Sequence, residues 1–312
     1  MSVRPRLVAA LATTLAAGTI AACGDGGGGD SSNTGAGPTV VAATTQVGDM
    51  ARAVAGRRAR VEQILEANSD PHEYEPRPAD IRALADAGVV LRSGGDLDDW
   101  LGDVLENAGG YARTVTLIDA VRTRRADGEV DPHWWQDPRN GILAVRAIRD
   151  ALIAADPAGR ATYDARAASY VHRLQRLDRE IATCVARIPE AERKVVTDHD
   201  SLGYYADRYA ITIVGTVIPA LSTQAQASAA DVAQLARTIR AEGVTTVFTE
   251  NSGNRKLAEA IARDSGAKLG DDLYADSLGT DGSPGATYVG SLQANTHALI
   301  GGLGDGQQRC SL

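Results

Sequence analysis

Lysine is nearly missing from this chain. It occurs only at Lys194, Lys256 and Lys268, and arginine supplies the other positive charges, a bias of the genome that says nothing about function. The formal net charge is −8, which argues against nucleic acid as a partner. No G-x-S-x-G, H-E-x-x-H or phosphate-binding loop is present, so the common hydrolase, metalloprotease and nucleotide-binding signatures are absent. No self-similar repeat of 20–50 residues appears. The N-terminal apolar run is shorter than the ~20 residues that cross a bilayer. Cysteine is scarce, at Cys23, Cys184 and Cys310 alone.

What is present begins with a leader. Arg4 and Arg6 precede an apolar run from Leu7 to Ala22, the layout of a secretory signal peptide over 1–22. The end of that run, Ile20-Ala21-Ala22-Cys23, resembles a bacterial lipobox, with Cys23 as the lipidated first residue of the mature chain. The following GDGGGGDSSNTGAGP has too little apolar bulk to pack, so 23–38 reads as a flexible tether. Without Arg4 and Arg6 the charge becomes −8 − 2 = −10. An acidic exported body attracts cations. Cys184 and Cys310 remain, and an oxidising compartment permits either a disulfide or two separate thiols.

From Thr39 onward, strand-like and helix-like segments alternate. TVVAATTQ, ARVEQIL, VVLRSG and ARTVTLID read as strands separated by amphipathic helices. The reading is a first α/β lobe over 39–138 with a mainly parallel four-stranded sheet and flanking helices. Residues 139–188 lack a strand and read as a long connecting backbone helix ended by Pro189. A second α/β lobe of the same build, also with four strands, occupies 189–312. The long connector predicts release of cargo by loop movement more than by wide closure of the lobes.

Histidine occurs at positions 72, 133, 172, 199 and 297. His172 and His297 fall within helices and read as ordinary helix-face residues. His72, in SDPHEYEP, His133, in DPHWWQDP, and His199, in TDHDSLGYY, each follow an expected strand end, the edge where open α/β sheets bind ligands. Their separations, 133 − 72 = 61 and 199 − 133 = 66, exclude a local finger and require two lobes facing each other. Three neutral imidazoles and one carboxylate suit a tetrahedral zinc site. Asp276 in LYADSLG and Glu250 in FTENSGN both stand at strand ends where a fourth ligand belongs. Glu73, Asp131, Asp198 and Glu250 are candidates to orient the rings from behind. Ser201 beside His199 suggests a nucleophile, but a serine there more commonly caps a helix.

The strings DPHEYEP, DPHWWQDP, VVTDHDSLGYYADRYAI, FTENSGNRKLAEAIA and LYADSLG stand in an order that resembles the metal-binding subunits of zinc and manganese ABC importers, the cluster A-I or TroA-like family. The resemblance runs from about Thr39 to Leu303. It implies two lobes joined by a long backbone helix, no enzymatic activity, and His72, His133, His199 and Asp276 as ligands of Zn(II), with Glu250 a neighbour. It implies a monomer anchored outside the cytoplasm by lipid alone, with a permease and ATPase complex as partner. Manganese-type members resemble a carboxylate where this chain has His199, and three nitrogens favour zinc. Manganese, dual zinc/manganese binding and metal-dependent adhesion are the alternatives. The chain departs from many zinc-type members in VRTRRADGEV, which has no histidine where they carry a His-rich loop. The resemblance there is to loop-poor members, for which a separate zinc chaperone is a candidate donor.

Overall fold

Two four-stranded sheets with the same strand order organise the molecule. The computed structural model describes residues 1, 37–108, 112–126, 128–253, 255–303, 310 and 312. The expected signal peptide, Cys23 and all of the tether before Gly37 lie outside the described residues. By contacts, the chain divides into Met1–Asn33 and Thr34–Leu312, and the second unit contains both sheets. Among the described residues, no helix is long and apolar enough to cross a membrane.

The first lobe runs β1 (Thr39–Ala42), α1 (Thr45–Ala55), β2 (Arg60–Gln63), α2 (Pro78–Ala85), β3 (Val89–Arg92), α3 (Trp100–Ala108) and β4 (Arg113–Thr116). Its strands pair in parallel in the order β2-β1-β3-β4. Val40, Val41, Val89, Val90 and Leu91 have no exposed surface, as expected of central parallel strands covered on both faces. A short antiparallel hairpin, β5 (Arg125–Ala126) and β6 (Glu129–Val130), occupies the segment expected to be a plain loop.

The expected single connecting helix is two. α4 (Pro138–Ala155) and α5 (Arg160–Val185) pack against each other and are separated by a break at Pro157, which has no N–H to donate. Asp137 caps α4 by accepting from Arg139 N, with Pro138 in the first turn. α4 packs on α1, β3 and β4 and so covers the first sheet. Only α5 is the long backbone helix. Its stripe of Tyr163, Ala167, Leu174, Leu177 and Ile181 is buried. α5 packs against elements of both lobes and joins them in one continuous core.

The second lobe runs β7 (Lys194–Thr197), α6 (Gly203–Tyr209), β8 (Thr212–Thr216), α7 (Ala229–Glu242), β9 (Thr246–Val247), α8 (Arg255–Ser265), β10 (Lys268–Leu269) and α9 (Tyr288–Leu303). Its order is β10-β9-β7-β8, again parallel, so each lobe reads second-first-third-fourth. Ser228 and Asp231 form a capping box at the start of α7, and Gly243 ends it at φ 67°. Cys184 on α5 and Cys310 are disulfide-bonded, with Cα atoms 5.8 Å apart.

Candidate metal centre

Four side chains from four separate segments converge between the lobes. Asp276 Oδ2 lies 3.2 Å from His199 Nε2 and 3.5 Å from His72 Nε2, and Asp276 Oδ1 lies 3.3 Å from His133 Nε2. His133 Nε2 and His199 Nε2 are 3.3 Å apart. A tetrahedron with zinc–nitrogen bonds of ~2.0–2.1 Å has edges of about 3.3 Å. His72 Nε2 and both Asp276 oxygens are buried and lack a hydrogen-bond partner. Orphaned buried groups of this kind are costly unless a ligand satisfies them.

Two of the rings face a carboxylate from behind, and the third is fixed through its backbone. His133 opens a 3-10 turn, Trp134–Gln136. Its Nδ1 lies 2.7 Å from Asp131 Oδ1, and its backbone N donates to the same oxygen at 2.9 Å. Arg124 donates to the other Asp131 oxygen. His199 lies just past β7, with Nδ1 at 2.8 Å from Glu250 Oε1. Glu250 follows β9, the neighbour of β7 and the third strand of its lobe, so the pair straddles the point where strand order reverses. Ser201 donates to Glu250 Oε1 at 3.0 Å and is thereby engaged; it does not cap α6. The loop carrying His72 is clasped by the opposite lobe. Asp70 Oδ1 accepts from His72 N at 2.9 Å, Asp70 Oδ2 accepts from Thr223 Oγ1 at 2.7 Å, and Gln224 Nε2 donates to the His72 carbonyl.

Two expectations need correcting. His133 does not sit at the end of β4: 16 residues, 117–132, intervene, including the hairpin. That detour sets Arg124 beside Asp131, a contact no sequence signal announces. Glu73 is exposed, and among the contacts described it touches none of the rings. Asp198 is buried and lies with His199 and Glu250 in a second close group. Burial and Glu250 push its carboxyl up to about 7. Trp134 sits in the first-lobe core and donates to Ser93 O at 3.2 Å. Trp135 stands edge-on to the His133 ring at 5.5 Å and donates to Ala275 O at 2.8 Å.

The titratable groups of the centre shift one another. Burial disfavours an imidazolium at His72 and lowers it. At His133 burial has the same sense, but Asp276 and Asp131 outweigh it and raise the ring to about 9. His199 is raised well above its ordinary range because Glu250 and Asp276 overcome its burial. Burial alone would raise the Asp276 carboxyl, yet His199 and His133 hold it well below the usual range. The raised rings and the lowered carboxyl thus favour one another's charged forms within one buried cluster.

Two parallel-sheet lobes facing each other across three buried imidazoles and a carboxylate have the arrangement of a solute-binding component of a metal importer. The chain belongs to the family described as zinc-uptake complex component A, periplasmic, whose model matches residues 40–302. This is a substrate-binding component of ABC importers and not an enzyme, and such components serve a permease and an ATPase. The chain is 31% identical over 274 residues to the manganese-binding lipoprotein MntA of Halalkalibacterium halodurans, covering 87% of this chain and 90% of that one. It is 28% identical to the iron-binding protein YfeA of Yersinia pestis, covering 85% and 86%. Its fold matches the periplasmic zinc-binding protein TroA of Treponema pallidum with a TM-score of 0.81 at 25% identity, over 86% of this chain and 99% of that chain.

Proposed function

We propose that this chain captures Zn(II) outside the cytoplasm and delivers it to the permease of an ABC importer, held to the membrane through lipidated Cys23. His72, His133 and His199 bind through Nε2, Asp276 supplies the carboxylate, and Asp131 and Glu250 orient two of the rings. One observation carries this reading: the Asp276 oxygens stand 3.2–3.5 Å from the three Nε2 atoms, close to the edge length of a zinc tetrahedron. With all four protein ligands engaged, no open position is left to activate water. The shared core along α5 supports release through the clasped His72 loop rather than through wide separation of the lobes.

Manganese is the second reading. It is favoured by the name of the MntA relative and by Asp276 offering both oxygens to the centre, since hard oxygen donors suit Mn(II). Competitive titration with zinc and manganese decides between them. The zinc reading expects one zinc per chain, bound tightly enough to exclude equimolar manganese, and its loss in His72→Ala, His133→Ala, His199→Ala and Asp276→Ala. Retention of zinc in His133→Ala would sink the site, and displacement of zinc by equimolar manganese would sink the choice of metal.

A further inference from the structure

A groove of about 1140 Å³ runs between α1 and the exposed face of α5, and it is basic on an otherwise acidic protein. Arg52, Arg166, Arg173 and Arg176 line it together with His172, and Asp49 is its only acid. Asp49 is already engaged, because its Oδ2 accepts from Tyr288 N and from the Tyr170 hydroxyl, each at 3.0 Å. Some arginines elsewhere meet carboxylates, among them Arg58 with Asp156, Arg124 with Asp131, Arg208 with Asp178 and Arg255 with Asp272. Among the described residues, the four groove arginines form no such pair; Arg52 donates to Gln63 and Arg166 to the Ala53 carbonyl. A smaller cavity of about 310 Å³ continues along α5 past Arg176 to Arg179 and includes one acid, Glu180.

The groove and the metal centre lie along the same helix. Near its start Gln46 reaches Ala275 O at 3.5 Å, and near its end Ala53 O accepts from Arg166. Gln46 and Ala53 are about 10 Å apart along α1. The chain's entry into the body lies near the start of α5. Gly37 N donates to Arg58 O, and a Cβ on Gly37 would fall 2.8 Å from the Tyr163 hydroxyl in the first turn of α5. From Cys23 to Gly37 is 37 − 23 = 14 residues, a reach of up to about 50 Å. α5, with 26 residues, is about 39 Å long.

We propose that the arginine face of α5 rests on an anionic phospholipid surface and holds the tethered body against it. This rests on the reading of the chain as a membrane-tethered protein. An acidic protein partner fits less well. The groove lining offers Ala53, Ala165 and Tyr170 but no large aliphatic anchor of the kind that dominates protein interfaces. Unpaired guanidiniums spread along a helix suit a layer of mobile phosphate headgroups, which needs charge without shape.

Vesicle co-sedimentation of the full chain tests this, with phosphatidylcholine alone and with phosphatidylcholine carrying phosphatidylglycerol, at about 0.1 M salt. Three proteins are compared: the native chain, a groove variant (Arg166→Gln, Arg173→Gln, Arg176→Gln) and an equal-charge control (Arg113→Gln, Arg237→Gln, Arg263→Gln). The N-terminal segment is common to all, so it cancels. The native chain and the control should prefer phosphatidylglycerol vesicles, and the groove variant should lose at least about tenfold of that preference. Equal losses in both variants, or no preference in the native chain, would overturn the proposal. Displacement by polyglutamate at equal charge would assign the groove to an acidic polypeptide and overturn the lipid assignment. Zinc stoichiometry measured on the same samples reports folding and tests the metal reading separately.

Discussion

Raising pH from 7 to 9 should tighten metal binding far more than ordinary histidine chemistry allows. Nε2 of His133 faces Asp276 at 3.3 Å, and Nδ1 faces Asp131 at 2.7 Å. Burial works against a charge on this ring, but the two carboxylates prevail and hold it at about 9. A free imidazole titrates near ~6.5. At pH 7 the metal must therefore displace a proton held about 2 pH units above ambient, which weakens apparent affinity roughly 100-fold, or about 2.7 kcal/mol. His199 is shifted in the same direction and adds a second competing proton, whereas His72 is shifted down and adds none. Apparent affinity should rise by about tenfold or more per pH unit between 7 and 8.5. At pH 8, calorimetry in two buffers of different ionisation enthalpy should find between about one and two protons released per metal; unshifted imidazoles would release fewer than ~0.1 each. The sign for the metal-free fold is opposite. His133 is raised on folding, so its stabilisation is complete below about pH 6.5 and is lost as pH rises through about 9. A flat affinity from pH 7.5 to 8.5 with fewer than ~0.3 protons released would refute this reasoning.

Three further perturbations separate the parts of the centre. Asp131→Asn removes the charge behind His133 while keeping its shape, and zinc competition should show affinity falling about 10–100-fold with one metal still bound. Thr223→Val removes the hydroxyl that holds Asp70 across the cleft; stopped-flow measurement with a chelator should show metal leaving about 5–10-fold faster, and Thr223→Ser should restore the native rate. Gly141→Ala would set a methyl 2.6 Å from the Tyr288 hydroxyl, which donates to the Trp135 carbonyl beside the His133 ring; thermal unfolding should report a loss of about 1–3 kcal/mol.

The sheets were legible because parallel strands buried on both faces write themselves as valine runs, and Val40–Val41, Val89–Val90 and Val195–Val196 are such runs. His72, His199 and Asp276 were legible as ligand candidates because strand ends are where such sheets present side chains. His133 was picked for a reason the fold does not use. It arrives by a hairpin whose two-residue strands are too short to show periodicity, and it is fixed by the Asp-Pro-His turn rather than by a strand end. The division of the connector was visible as Pro157, but not the consequence that α4 belongs to the first sheet. That depends on which face of the helix finds β3 and β4.

Several contacts that sequence could not supply cross from one lobe to the other through a backbone carbonyl. Ala275 O accepts from Trp135 and Gln136, and Gln46 approaches it at 3.5 Å. The Asp131 carbonyl accepts from the Tyr204 hydroxyl, and the His72 carbonyl from Gln224. Carbonyl acceptors carry no residue signature, so no motif announces them. They also place each ligand under the control of the opposite lobe: Asp276 is adjacent to the carbonyl gripped from the first lobe, and His72 lies in the loop gripped from the second. A shift between lobes too small to disrupt the shared core along α5 would still pull His72 and Asp276 in opposite directions. Because Asp276 Oδ2 stands only 3.2 and 3.5 Å from His199 and His72 Nε2, a displacement of about 1 Å would suffice to break the proposed tetrahedron.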